Sequence, residues 1–244
     1  MTSAWRAELL KIATVRGQWL GVALAALALP AVSLLVAATG GVGARDTVTS
    51  GAATGSVAGL LAFGVWAATV AAGEYAQQTI IVSLTTVPRR SVFYGAKLVA
   101  MGCVAIAGGL LSVITAWLVV WAALPRGAHH LGHPLALVSA VLAIVAVSVL
   151  GMAVGLISKS PAASASIVVG AVLFPKAAAG LLGGLERWVV GASPGTVITQ
   201  AVGGAQLPHN QMFPGGAPAA TVAMLLVATV VAAGGALTLL RRDG

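Results

Sequence analysis

Residues 74–97 read EYAQQTIIVSLTTVPRRSVFYGAK and form a short, charged, amphipathic segment between two apolar runs of membrane length. The flanking runs could lie in lipid, whereas the charges of Glu74, Arg89, Arg90 and Lys97 would be costly in the hydrocarbon core. The segment therefore predicts where the membrane part of the chain meets water, and it is a candidate contact surface for a partner.

The composition is that of a membrane protein. Of the 244 residues, 59% are hydrophobic and 7% are charged, whereas a soluble domain has about 25% charged residues. So few charges cannot cover a soluble surface, and we predict one integral membrane domain, residues 1–244, surrounded by the lipid bilayer. The net charge of +8 comes from basic residues that lie mostly at the ends of apolar runs. This pattern indicates membrane topology and no nucleic-acid partner.

Six apolar segments approach or exceed the roughly 20 residues that a helix needs to cross the hydrocarbon core. We therefore predict an all-α fold with six transmembrane helices. The predicted spans are Trp19 to Thr39, Gly55 to Gly73, Leu98 to Leu124, Pro134 to Ser158, a fifth that starts near Ala162 and becomes irregular after Pro175, and Ala217 to Leu240.

The distribution of Lys and Arg predicts the orientation of these spans. With the N-terminus inside, nine basic residues fall on the cytoplasmic side and four on the other, which favours two cytoplasmic termini. The inner group is Arg6, Lys11, Arg16, Arg89, Arg90, Lys97, Lys159, Arg241 and Arg242, and the outer group is Arg45, Arg126, Lys176 and Arg187.

The N-terminal segment has a helical pattern of its own. Trp5, Leu9 and Ile12 recur at helical spacing, while Glu8 and Lys11 lie elsewhere on the wheel, as do Arg6 and Arg16. The pattern predicts a helix along the cytoplasmic membrane surface with its apolar face toward lipid. The alternative is that these residues form the first turns of the first span.

The 74–90 segment also has two interpretations. Ile80, Ile81 and Leu84 supply an apolar face, Pro88 would end a helix, and the Arg89–Arg90 pair would anchor at the headgroups. A short helix in the plane of the membrane surface and a solvated loop fit the periodicity equally well.

The residues of this segment resemble a known family. Glu74-Tyr75 followed by Thr79, Leu84, Pro88-Arg89-Arg90 and Lys97 is similar to the permeases of ABC-2 type exporters, the transmembrane subunits of bacterial ABC transporters. The opening Glu8, Lys11, Arg16 and Trp19 and the ending Arg241-Arg242-Asp243 are similar too, so the resemblance covers the whole chain. The chain departs from the family at residues 76–78, AQQ, where members often carry a basic residue and a glycine just before the threonine.

The resemblance implies a homodimer, or a heterodimer with a second permease, that works with two cytoplasmic ATP-binding subunits. It implies an N-terminal surface helix carrying Trp5, Glu8, Lys11 and Arg16, and a pair of re-entrant helices on the outer side before the last span. It also implies a coupling helix that docks on the ATPase, formed by Glu74, Tyr75, Thr79, Ile80, Leu84, Pro88, Arg89 and Arg90. Glu74 would pair with a basic residue of the partner or of the surface helix.

The chain has no G-x-x-x-x-G-K-[ST] phosphate-binding loop. ATP hydrolysis is therefore expected in a separate subunit. We predict that this chain is not itself an enzyme, that it binds no cofactor, and that ATP and Mg belong to the partner.

Lys176 is a second candidate, because it follows Pro175 in a largely apolar stretch and an intramembrane ionisable residue is a functional candidate. Glu186, ten residues later, could return to pair with it, and both belong to the region that the family resemblance predicts to be re-entrant. The alternative is that Lys176 extends to the outer headgroups.

Two further patterns carry weaker signals. His129, His130 and His133 could ligate a metal, but no nearby carboxylate orients them, so we expect a polar or pH-sensitive loop and no metal site. The small-residue pairs Gly151 with Gly155 and Gly180 with Gly184 permit close helix packing.

The leading functional prediction is ATP-driven export of a hydrophobic or amphipathic compound, such as a drug, a lipid or a peptide, from the bacterial cell. A pathway wall of Ala, Val, Leu, Gly and Trp suits such a cargo better than ions or sugars. The alternative is an ATP-independent transporter or channel, which the lack of a visible internal repeat disfavours. A membrane-embedded enzyme would need a catalytic constellation at one depth, and the few acids and loop histidines do not supply one.

Overall fold

The computed structural model describes residues 2–42, 46–80, 89–124, 130–203 and 207–241. Every regular element in these ranges is helical. The α-helices are α1 (Thr2–Thr14), α2 (Arg16–Ala38), α3 (Val48–Ala53), α4 (Ser56–Ala76), α5 (Arg90–Ala123), α6 (Leu135–Ser158), α7 (Pro161–Ala177), α8 (Glu186–Val189), α9 (Pro194–Ala201) and α10 (Gly216–Arg241). Two 3-10 helices, Gly183–Leu185 and His209–Gln211, connect the last elements.

Five of these helical stretches are long and apolar enough to cross a membrane, which supports a multi-pass membrane protein. They are α2, α3 with α4, α5, α6, and α10 with the 3-10 turn before it. Helix α7 covers the predicted fifth span but has only 17 residues, fewer than the roughly 20 that a crossing needs. A sixth crossing therefore stays a prediction.

Helix α5 begins earlier than the hydropathy predicts. The apolar run was placed from Leu98, whereas the helix starts at Arg90 and has 34 residues. Tyr94 and Lys97 consequently lie inside the helix, and the Tyr94 hydroxyl donates a hydrogen bond to the Ala232 carbonyl of α10 at 2.6 Å. The 74–97 segment thus supplies the first two turns of a long helix.

Helix α6 lies at the centre and packs against α4, α5, α7, α9 and α10. Its contact with α4 is the most extensive helix pairing among the described residues and is made by small residues. A β-carbon added at Gly151 would lie 2.3 Å from the Gly64 carbonyl oxygen, and one added at Gly155 would lie 2.5 Å from that of Ala68. Only glycine permits this approach, so the Gly151–Gly155 pair is a packing surface.

The other small-residue pair has no such role. β-carbons added at Gly180 and Gly184 would meet no atom within 4 Å. These glycines lie in the short connections after α7, where they allow turns, and Gly180 has a φ of +86°.

The turn between α6 and α7 fixes which ends of the bundle lie together. Lys159 ends α6 in the left-handed conformation, with φ 56°, and Ser160 caps α7 through a hydrogen bond from the Ala163 N–H. The Lys159 ammonium lies 5.2 Å from the ring centroid of Tyr75, in the last turn of α4. Helix α7 runs away from this end, so Lys176 and the short helices that follow it lie at the opposite end.

Candidate functional site

Four ionisable side chains from three helices meet where α1 packs against α5, beside the last turn of α4. Glu8 and Lys11 come from α1, Glu74 from the last turn of α4 and Lys97 from α5. The Lys97 Nζ lies 2.8 Å from the Glu8 Oε2 and 2.9 Å from the Glu74 Oε1. The Lys11 Nζ also contacts the Glu74 Oε1 and lies 3.4 Å from the Glu8 Oε1. We call these four residues the ion cluster.

The ion cluster is buried and electrically balanced. Lys97 is 1% exposed and Glu74 is 4% exposed, whereas Glu8 and Lys11 lie nearer the surface. Charges so far from water are tolerated only when they are paired, and loss of one partner leaves an uncompensated charge. Two carboxylates and two ammonium groups alternate here, so the cluster carries no net charge and ties α1 to the bundle.

The two α1 groups have shifted pKa values. Burial alone would raise the pKa of Glu8, but the ammonium groups of Lys97 and Lys11 outweigh burial and hold the pKa below 4.5. Burial would lower the pKa of Lys11, but the carboxylates of Glu74 and Glu8 raise it above 10.5. Both groups are therefore charged at neutral pH.

The structure places Glu74 inside the protein. The sequence left two partners open for Glu74, a basic residue of the surface helix or one of another subunit. The pairing with Lys11 is the first of these, and the sequence does not predict the contact with Lys97. A carboxylate that is 4% exposed is not on an outer docking surface. Glu74 thus holds α4 to α1 and α5 directly, and any effect on a partner must pass through these helices.

The chain leaves α4 through a strained turn. The Gln77 N–H donates to the Gly73 carbonyl at 2.9 Å, and Gln78 has a φ of +56°, the left-handed region that favours glycine. Gln78 occupies the position where the resembling family often has that glycine. Thr79 and Ile80 are helical again, and Ile80 is buried.

The remaining residues predicted for the coupling segment fall into two groups. Ile81, Leu84 and Pro88 lie outside the described residues. Arg89 precedes α5, and the Arg90 guanidinium donates to the Leu239 carbonyl near the end of α10 at 3.2 Å. A cation at a helix C-terminus is favourable, so Arg90 joins α5 to α10.

The other residues predicted for the surface helix have peripheral positions. Trp5 is partly buried, with the Arg6 guanidinium 5.9 Å from its ring centroid, and Arg16 is exposed at the start of α2. Ile12, which the helical pattern singled out, is buried against the bundle. Helix α1 is separated from α2 by a break at Val15, which makes it an element of its own.

A polar cleft of about 310 Å³ adjoins the ion cluster between α1, the start of α2 and the end of α4. Its lining includes Lys11, Gln18, Glu74, Gln77 and Thr79. The Gln18 backbone carbonyl accepts a hydrogen bond from the Trp66 indole at 3.1 Å, which fixes this wall of the cleft on α4.

The predicted pair of Lys176 and Glu186 does not form. Glu186 is 4% exposed and accepts a hydrogen bond from the Asn210 side chain at 2.8 Å, while Lys176 is exposed in the last turn of α7. Glu186 begins α8 and faces inward, so its carboxylate joins α8 to the 3-10 helix that precedes α10. The position of Lys176 agrees with the alternative in which it extends toward headgroups.

The outer histidines were the weakest candidate. His129 lies outside the described residues, and His130 and His133 are exposed. The His130 carbonyl accepts a hydrogen bond from the Val48 N–H at 2.7 Å, which attaches this loop to α3. Over the described ranges, no group of three His, Cys, Asp or Glu side chains is placed to hold a metal ion.

The sequence matches no protein-family model and none of the curated proteins. The functional argument therefore depends on the residues and their geometry.

Proposed function

We propose that this chain is the transmembrane subunit of an ATP-driven exporter of the ABC-2 type and works with a separate cytoplasmic ATPase. The observation that carries the proposal is the ion cluster. It joins α1, α4 and α5 at the end of α4, directly before residues 77–80, so a push transmitted through these residues would reach three helices together.

The physical argument concerns how force passes from a motor to a pathway. A rigid-body movement needs a connected unit, because a loosely attached loop would absorb the displacement. Helix α4 leads into the segment through the turn at Gln77 and Gln78, and it packs closely along α6 at Gly64 and Ala68. Displacement of the segment would therefore tilt α4 and α6 together.

The proposal includes finer features of topology. Helix α7 makes the sixth crossing, the elements from Gly183–Leu185 to Pro194–Ala201 form the re-entrant part, and both termini face the cytoplasm of a bacterial cell. Two copies, or one copy with a related permease, would enclose the pathway. The cargo would be hydrophobic or amphipathic, in keeping with the apolar helices.

A photocrosslinking experiment tests the proposal. A photoreactive amino acid at Leu84, in the segment that would dock, should capture an ATP-binding protein in cells of the native host. The matched control carries the same group at Leu131, an exposed leucine at the opposite end of the bundle, and should not capture it. Capture of no ATP-binding protein at position 84, in a protein that is inserted at normal levels, would exclude the proposed coupling.

A further inference from the structure

An apolar cleft of about 370 Å³ lies at the end of the bundle opposite the ion cluster, between α6, α7, α8 and α10. Its lining includes Leu150, Val172, Pro175, Trp188 and Val227. The volume falls in the range of small-molecule sites, about 300–1,000 Å³. The cleft offers almost no hydrogen-bonding groups, so its lining favours an apolar occupant such as an acyl chain.

The rim of the cleft is apolar as well and lies on the outside of the bundle. Phe174 is 66% exposed and Leu181 is 86% exposed, and Leu185 and Trp188 are exposed beside them. So many large apolar side chains at one place would be unfavourable in water. Their position in the last turn of α7, which carries Lys176, and in the short elements after it fits the boundary between acyl chains and headgroups.

Two cations flank the cleft without acidic partners. Lys176 follows the lining residue Pro175, and Arg187 precedes the lining residue Trp188, with its guanidinium 5.8 Å from that ring centroid. Both side chains are exposed, and neither forms an ion pair within the described part of the chain. Within the described residues, the nearby Glu186 forms no ion pair with either cation, and its buried carboxylate accepts a hydrogen bond from Asn210 instead.

We propose that the cleft binds an anionic phospholipid of the surrounding bilayer, with an acyl chain in the cleft and the phosphate between Lys176 and Arg187. A free phosphate would leave the apolar cleft unused. A zwitterionic lipid would bring a cation of its own to Lys176 and Arg187, which form no ion pair within the described residues. Basic sites between transmembrane helices are known to hold anionic headgroups. The inference does not depend on ATP-driven transport.

Native mass spectrometry of the purified protein in detergent tests this proposal, with palmitoyl-oleoyl phosphatidylglycerol and the matching phosphatidylcholine as probes. We expect retention of one phosphatidylglycerol in preference to phosphatidylcholine. Each basic residue near an anionic headgroup contributes on the order of a fivefold change in affinity. The double variant Lys176→Gln/Arg187→Gln should therefore bind phosphatidylglycerol roughly 25-fold more weakly.

Two controls separate the site from general attraction. Arg6→Gln/Arg241→Gln removes the same charge at exposed positions far from the cleft and should leave the preference intact. Ala171→Phe narrows the cleft from an exposed lining position and should weaken the binding of both lipids equally.

Equal binding of the two lipids by the wild-type protein, or equal losses of phosphatidylglycerol binding in the two double variants, would overturn the proposal. The proposal would also be overturned if the protein gave the mass of a dimer without bound lipid and Ala171→Phe dissociated that dimer. The cleft would then be occupied by a second copy of the chain.

Discussion

Lys97 shows how one side chain can decide the position of an entire helix. It lies two turns inside α5 and is 1% exposed, yet its ammonium is within 3 Å of carboxylates from α1 and α4. The contact with Glu8 joins residues 89 positions apart. Because a buried ammonium is tolerated only when it is paired, Lys97 holds α1 and α4 together through the carboxylates of Glu8 and Glu74.

A double-mutant cycle tests this charge balance. Lys97→Met leaves Glu74 and Glu8 with one cation, so we expect a loss of stability of about 3–5 kcal/mol, the usual cost of breaking a buried pair. Glu74→Gln alone should also destabilise, since it leaves an excess ammonium. The double variant Lys97→Met/Glu74→Gln keeps Glu8 and Lys11 as a pair without net charge and should recover much of the lost stability. Stability is measured as the midpoint of thermal unfolding in detergent. If the double variant is no more stable than the less stable single variant, the idea that the cluster depends on balanced charges is contradicted.

At the scale of elements, the contact between α4 and α6 is the most extensive in the described bundle. It depends on glycine and alanine because the backbone of one helix lies against the backbone of the other, with Gly151 facing the Gly64 carbonyl. Without a hydrophobic driving force between helices in lipid, such close packing is a main source of association. This contact connects the proposed site of force entry to the centre of the molecule.

Gly151→Ala should separate these helices and destabilise the protein. The added β-carbon would lie 2.3 Å from a backbone oxygen, so the backbones must shift, at a cost of about 1–3 kcal/mol. The matched control is Gly170→Ala in α7, where a β-carbon meets no atom within 4 Å and the change favours helix by about 1 kcal/mol. Thermal unfolding in detergent should show a lower midpoint for the first variant and an equal or higher one for the second. Equal unfolding midpoints for the two variants would show that the contact between α4 and α6 accommodates the added methyl group, which would contradict the prediction.

For the whole molecule, the apolar runs predicted where the long helices lie because a crossing of fixed thickness demands a fixed length of apolar chain. The predicted span from Ala217 to Leu240 became a helix one residue longer at each end. The ion cluster was not predictable in the same way. Hydropathy assigned Lys97 to the water boundary, and no periodicity within one helix reveals a contact between α1 and α5. Glu186 was misassigned for the same reason, since its partner Asn210 belongs to a later turn.

The number of crossings can be decided by the location of the two termini. Helix α7 is about 25 Å long at 1.5 Å per residue, short of the roughly 30 Å core, but local thinning of the bilayer can make up such a difference. With six crossings both ends face the cytoplasm. In a Cys103→Ala background, single cysteines at Thr2 and at Gly244 should resist a membrane-impermeant maleimide in intact cells and react after permeabilisation, while Leu131→Cys should react at once. Labelling of the Gly244 variant alone in intact cells would mean that α7 does not cross, because an odd number of crossings puts the ends on opposite sides.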